Sequence, residues 1–255
     1  MTVFEPSSEI RRSDLPMYLV EDPRAPAGPS SRNTFGGRPI LPAGEDWPEC
    51  YCGARMVLFF QLDVPPDIPR FGGDHLLVFQ CPVHNDAACL REDPQQFPER
   101  YWEKPRIWGH PGAFWRILLH RDPTGPADEE EPHLLSRALV LRPELETETV
   151  WRAALPGNTN TETHPELSVG RSGFKVGGLP RWQQDPESHR CACGAEMLFL
   201  CGLPEDVGFQ SRPGQPEQPD SSYSYAYVLF LGNALYLLAC PEHCHPAAVW
   251  PVLQH

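Results

Sequence analysis

Positive charge is scarce in this chain: 21 Lys and Arg stand against 34 Asp and Glu, a formal net charge of -13. Nucleic-acid binders need lysine and arginine to displace counterions from phosphates, so no nucleic-acid partner is expected, and a basic protein partner would be easier to attract. Long apolar runs are also missing. MVLFF and YVLFLGNALYLLAC fall short of the ~20 residues that span a bilayer, which argues against membrane insertion. The opening MTVFEPSSEIRR has no basic region followed by an apolar core and no cleavage site. The expected compartment is therefore a reducing cytoplasm, where paired cysteines bind metal more often than they form disulfides. GxGxxG, GxxxxGKS/T and HExxH are absent too, which removes the simplest cases for dinucleotide binding, nucleotide hydrolysis and zinc-protease chemistry.

Proline, by contrast, is abundant. The 31 prolines among 255 residues are about twice the usual share of roughly 5%. Proline lacks a backbone donor and breaks helix interiors, so many short strands joined by irregular loops are expected rather than long helices. The length suffices for one large domain or two smaller ones with a sizeable core.

The 9 cysteines are organised by a repeat. At one constant offset Gly36, Gly37, Pro39, Cys50, Cys52, Gly53, Ala54 and Met56 fall on Gly177, Gly178, Pro180, Cys191, Cys193, Gly194, Ala195 and Met197. At a second, longer offset Gly73, Cys81, Pro82 and His84 fall on Gly232, Cys240, Pro241 and His243. C-x-C-G-A-x-M followed by C-P-x-H, twice in the same order, reads as an internal duplication whose unit holds three cysteines and one histidine. That set suits tetrahedral zinc, with Cys50, Cys52, Cys81 and His84 in the first unit and Cys191, Cys193, Cys240 and His243 in the second.

The one-residue spacer inside C-x-C is tighter than the usual two to four, and Cys89, Cys244 and His245 compete for the fourth positions. The histidines are preferred because they match between copies, whereas Cys89 and Cys244 match Ala248 and Asn85. Cys201 falls on Phe60, an apolar strand position, and reads as a buried thiol without a metal.

Residues 56–64 and 75–80 read as strands that pair antiparallel and carry Cys81 and His84 beside Cys50 and Cys52. In the second unit, residues 227–231 and 234–239 around Gly232-Asn233 read as a hairpin. The extra segment SRPGQPEQPDSS reads as a mobile surface loop, and ADEEEP at 127–132 as a solvated one. Trp102, Trp108, Phe114 and Trp115 are expected to serve as core. Residues 170–173 (GRSG) match a hydrolase elbow only loosely and read as a turn, while His110, His120, His133 and His164 show no partner.

At these repeats the chain resembles the YwqG-like proteins, a mostly bacterial domain family of unknown function. Gly36, Gly37, Pro39, Trp47, Pro48, Cys50, Cys52, Met56, Gln61 and Leu62 carry the likeness, and Gly177, Gly178, Pro180, Trp182, Cys191, Cys193 and Met197 repeat part of it, with Gly202 in place of Gln61. More distantly the pattern is similar to the programmed cell death protein 2 family, which implies a chaperone shielding a new ribosomal protein.

The fold expected is thus α+β and β-rich, two zinc-binding units packed as one pseudo-symmetric domain. Residues 1–34 form a proline-rich lead-in with a short candidate strand or helix at MYLVE, 35–90 the first unit, 91–173 a connecting segment with strands and aromatics, and 174–255 the second unit. The function expected is a non-enzymatic, chaperone-like protein binder holding two structural zinc ions. The alternatives are a zinc-dependent hydrolase with an open metal position and an immunity or accessory protein that binds a basic partner.

Overall fold

The computed structural model describes residues 4–86, 95–103, 113–121, 125–153, 166–219, 221 and 223–255. Its strands are β1 (Phe4–Glu21), β2 (Thr34–Phe35), β3 (Ile40–Leu41), β4 (Val57–Asp63), β5 (His75–Gln80), β6 (Trp115–His120), β7 (Gly125–Pro126) and β8 (Arg137–Ala138). They continue as β9 (Val140–Ala153), β10 (Glu166–Val169), β11 (Lys175–Gly177), β12 (Leu198–Leu203), β13 (Gly208–Gln210), β14 (Ala226–Val228), β15 (Ala234–Ala239) and β16 (Val249–Gln254).

Among the described residues the only helical elements are single 3-10 turns at Tyr101–Glu103 and Phe230–Gly232, so the α+β expectation is overturned: the fold is all-β. The apolar stretches are runs of strand length, such as VLFFQLD in β4, and prolines interrupt the polar chain between them. Neither pattern can build a helix face.

Two antiparallel sheets carry the molecule, a seven-stranded one ordered β10-β9-β1-β11-β12-β15-β16 and a five-stranded one ordered β6-β5-β4-β2-β8. The series β2-β4-β5-β6 and β11-β12-β15-β16 run in the same spatial order. Their registers even break at the same place, between Leu58 and Phe60 on β4 and between Phe199 and Cys201 on β12. The sheets share one core. Phe174, just before β11, lies 5.1 Å from the ring of Phe60 on β4, and Trp115 on β6 lies 5.9 Å from Trp250 on β16. Trp102, Phe114 and Trp115 belong to this core as expected, whereas Trp108 lies outside the described residues.

Two expectations about connecting segments fail. The stretch expected as a lead-in forms β1, which sits between β9 and β11 and pairs with β9 from Phe4 to Glu21. Its polar sequence hides this because Ile10 and Leu15 remain exposed, and among its described side chains burial is concentrated at Met17 and Val20 near the end, too little to impose an alternation. The described residues of the segment at 211–222, expected to be mobile, are anchored: the buried Gln218 side chain donates to Val228 O at 3.0 Å and accepts from Val228 N–H at 2.7 Å. The acidic run at 127–132 is solvated as expected at Asp128, Glu129 and Glu130, with Glu131 alone buried. Glu129 pairs with Arg55 and Glu130 with Arg212, and buried Glu131 accepts from the backbone of His133 and Leu134.

The hairpin expected around Gly232-Asn233 does not form either. β15 pairs with β12 and β16, while β14 pairs with β13. Residues Phe230, Leu231 and Gly232 take φ values of 48°, 62° and 81°, a left-handed turn that separates β14 from β15. Buried pairings with β12, well before it in the chain, and with β16 after it place β15, so the chemistry of the Gly232-Asn233 turn does not decide its partner.

Candidate metal centres

Each C-x-C-G segment closes into the same knuckle. Cys50 N–H donates to Ala54 O at 2.8 Å, Gly53 N–H to Cys50 O at 2.8 Å and Met56 N–H to Pro48 O at 2.9 Å. In the second half Cys191 N–H donates to Ala195 O at 2.8 Å, Gly194 N–H to Cys191 O at 2.8 Å and Met197 N–H to His189 O at 2.9 Å. Gly53 and Gly194 have φ of 81° and 90°, a region that a side chain at Cβ disfavours, which is why glycine follows the second cysteine in both copies. Strand pairing brings the remaining ligands. Val57 lies opposite Gln80 and Leu198 opposite Ala239, so Cys81 and Cys240, the next residues, emerge beside the knuckles.

The result is two four-residue groups, Cys50, Cys52, Cys81 and His84 in one half and Cys191, Cys193, Cys240 and Cys244 in the other. Within each group the ligand atoms lie within 4.8 Å of one another, so each could hold a metal ion. In the first, His84 Nδ1 is 3.5 Å from both Cys50 Sγ and Cys81 Sγ, and Cys52 Sγ is 3.8 Å from Cys81 Sγ. In the second, Cys191 Sγ is 3.4 Å from Cys244 Sγ and Cys193 Sγ is 3.5 Å from Cys240 Sγ. A tetrahedron with metal–sulfur bonds of about 2.3 Å and metal–nitrogen bonds of about 2.0 Å has edges of roughly 3.5–3.8 Å, so both donor sets fit zinc-sized coordination.

Electrostatics point the same way. Burial raises the pKa of Cys50, Cys81, Cys240 and Cys244, in the case of Cys240 to about 11, because apolar surroundings disfavour thiolate. At Cys52 burial also opposes ionisation, but the backbone N–H of Ala54 and the neighbouring thiols outweigh it and hold the thiol below its ordinary value. The N–H of Ala195 does the same for Cys193. A cation among these sulfurs would supply the charge that crowded, part-buried thiolates lack.

Seven of the eight expected ligands thus gather as anticipated, and His243 does not. Its φ of 47° places it in the left-handed region, which turns its ring out of the cluster and lets the next residue, Cys244, enter. His243 Nε2 instead lies 2.6 Å from Asp74 Oδ2 on the loop leading into β5, and its Nδ1 lies 2.8 Å from Arg121. The C-x-x-x-C spacing of Cys240 and Cys244 was the available signal, and the histidine match between copies outvoted it. His245, the other competitor, stacks on Trp102 at 4.5 Å, and Cys89 lies outside the described residues. Cys201 is buried and belongs to neither group. Among the histidines expected to be solitary, His133 pairs with Glu131 at 2.9 Å, His120 lies 3.3 Å from Glu45, and His110 and His164 lie outside the described residues.

This geometry separates two variants. Cys244→Ser is expected to lower bound metal by one equivalent per chain, measured by plasma mass spectrometry on gel-filtered protein. His243→Ala should retain both equivalents and lose only about 1–3 kcal/mol of stability, from the severed contact to buried Asp74. Loss of metal from His243→Ala alone would place the ligand back on the histidine.

Compared with protein-family models and with curated proteins, this chain matches none.

Proposed function

We propose that the chain is a non-enzymatic protein-binding scaffold whose shape is held by two zinc ions. The observation that carries this is the completeness of both donor sets. Three thiolates and an imidazole, or four thiolates, fill a tetrahedral shell and leave no position for a reactive water, which is the pattern of structural zinc. Soft sulfur donors in that geometry favour zinc over magnesium or calcium. A hydrolase would need one of these eight side chains to step aside.

The surface supports a protein partner. Ile10, Leu15, Val140 and Leu145 are exposed apolar side chains, and all four lie on the β1–β9 ribbon. β10 covers only Thr149–Arg152 of the outer edge of β9, and among the described residues no strand pairs with the rest of that edge. An open edge flanked by apolar side chains is the kind of surface to which an extended segment adds as a further strand. The net charge of -13 favours a basic segment, in keeping with the chaperone-like role that the family resemblance implies.

The test is capture from native lysate by the metal-loaded chain and by its Ile10→Glu/Leu145→Glu variant. A partner that is retained by the first and lost by the second, at equal metal content, is the expected result. Capture that ignores the ribbon, or ester or peptide hydrolysis abolished by Cys52→Ser, would overturn the reading.

A further inference from the structure

In the five-stranded sheet the space beside β2 and β4 is filled by polar side chains. Fully buried Gln61 donates to Thr34 Oγ1 at 3.1 Å and to Arg38 O at 2.7 Å, and its Oε1 accepts from Ile40 N–H at 2.9 Å. His75, at the start of β5, sits against it with Nε2 3.2 Å from Gln61 Oε1 and Nδ1 2.7 Å from Asp63. The seven-stranded sheet has the same registers with different residues. Where Thr34 faces Gln61, Lys175 faces Gly202, and where β5 begins with His75, β15 begins with Ala234. Two large polar side chains have shrunk to a hydrogen and a methyl group, and a cavity of about 570 Å³ lies at that place. Its size is that of a small-molecule site.

The walls state what would fit. Trp182 and Tyr236 lean together with ring centroids 4.5 Å apart, and Phe199 faces the same space. The cations are Lys175 and Arg181. Lys175, whose side chain is 1% exposed, has one acceptor for its Nζ among the described residues, Glu146 at 2.7 Å, and an ammonium carries three N–H groups. Glu146 also accepts from the backbone N–H groups of Thr147, Arg171 and Leu179, so it stays fixed as the counter-ion of Lys175, and Arg181 is the cation at the cavity that no carboxylate neutralises among the described residues. The Arg181 guanidinium has no ion-pair partner among the described residues. Partly desolvated cations beside aromatic faces favour an anion with a flat apolar body.

We propose that this cavity binds a small aromatic organic anion, its carboxylate or sulfonate held by Lys175 and Arg181 and its ring body packed against Trp182, Tyr236 and Phe199. The proposal is independent of the metal reading, because the cavity walls include none of the zinc-type ligands.

The first unit supplies the test. Gly202 is not in the left-handed region, and an added Cβ would meet only the tip of the Phe199 ring, at 3.3 and 3.5 Å, with Leu235 O at 3.8 Å. Gly202→Gln therefore restores the filler that Gln61 provides, and Ala234→Leu fills the cavity from the neighbouring strand should the glutamine impair folding. The metal-loaded full chain is titrated with 8-anilinonaphthalene-1-sulfonate and with neutral N-phenyl-1-naphthylamine, following probe fluorescence, with metal content and melting transition recorded for every variant.

Saturable one-to-one binding of the sulfonate is expected, weakened at least tenfold by either filling variant. Arg181→Gln should weaken the sulfonate about tenfold and leave the neutral amine unchanged. No saturable binding to the native chain, or unchanged binding by folded filling variants, overturns the site. Equal weakening of both probes by Arg181→Gln overturns its preference for anions.

Discussion

Removing the metal from both centres is expected to abolish the cooperative melting of the chain rather than lower it by a few degrees. Structural zinc bound by thiolates contributes on the order of 10 kcal/mol, comparable to the whole stability of a domain. For a chain of this size each kcal/mol corresponds to roughly 2–4 °C, so losing even one centre should lower the melting temperature by roughly 20 °C or more. The reason is local. Each knuckle is closed by a few backbone bonds and by the ligands, and without an ion the buried thiols of Cys81 and Cys191 are held to the sulfurs of their own groups, Cys52 and Cys244, only by weak S–H contacts. Cys191→Ser should reproduce the effect in the second half alone, since Cys191 is fully buried and sits 3.4 Å from Cys244. Calorimetry or circular dichroism with parallel metal analysis decides it. A variant that melts normally with one equivalent of metal missing would falsify the stabilising role of that centre.

The two candidate ligand clusters were legible in the sequence because their chemistry is written in short-range spacing. C-x-C-G demands one turn with a left-handed glycine, and the read strand at 75–80, with its partner at 56–64, needed only apolar runs and a turn to carry Cys81 into place. What escaped was set by long-range pairing or by one dihedral angle. The left-handed φ of His243 exchanges the fourth ligand for its neighbour, an outcome that the C-x-x-x-C spacing of Cys240 and Cys244 permits and the dihedral angle decides. All of β1 but the short candidate at MYLVE escaped because its partner β9 is more than a hundred residues away, and a ribbon with both faces partly exposed need not alternate. The anchoring roles of Gln218 and Glu131 were hidden for a related reason. Polar residues in proline-rich or acidic runs look solvated unless their buried acceptors and donors are known. The cavity beside Lys175 is the reverse case, since the replacement of Gln61 by Gly202 was visible as a departure between copies before its volume could be seen.

Glu146→Ala is expected to be the most damaging single substitution outside the metal centres, at about 3–5 kcal/mol. The carboxylate is fully buried on β9. Oε1 accepts from Thr147 N–H at 3.0 Å and Arg171 N–H at 2.7 Å, and Oε2 accepts from Lys175 Nζ at 2.7 Å and Leu179 N–H at 2.8 Å. It therefore ties β9 to the start of β11 and to the turn after it, across the intervening β1. That turn is built around the carboxylate: a Cβ on Gly178 would sit 2.0 Å from Oε2, and the φ of 69° there already favours glycine.

Alanine would strand three backbone donors and leave an ammonium without its counter-ion where burial already lowers the pKa of Lys175 despite the adjacent carboxylate. The two causes can be separated. Lys175→Met leaves a carboxylate still held by three N–H groups and should lose only about 1 kcal/mol. In the double variant the stranded charge is gone and the stranded donors remain, so its loss should fall between those of the two single variants. Urea midpoints with metal content held constant give all three numbers. Full rescue in the double variant would mean that the ion pair alone sets the stability here, and a harmless Glu146→Ala would mean that water or a relaxed backbone satisfies these groups.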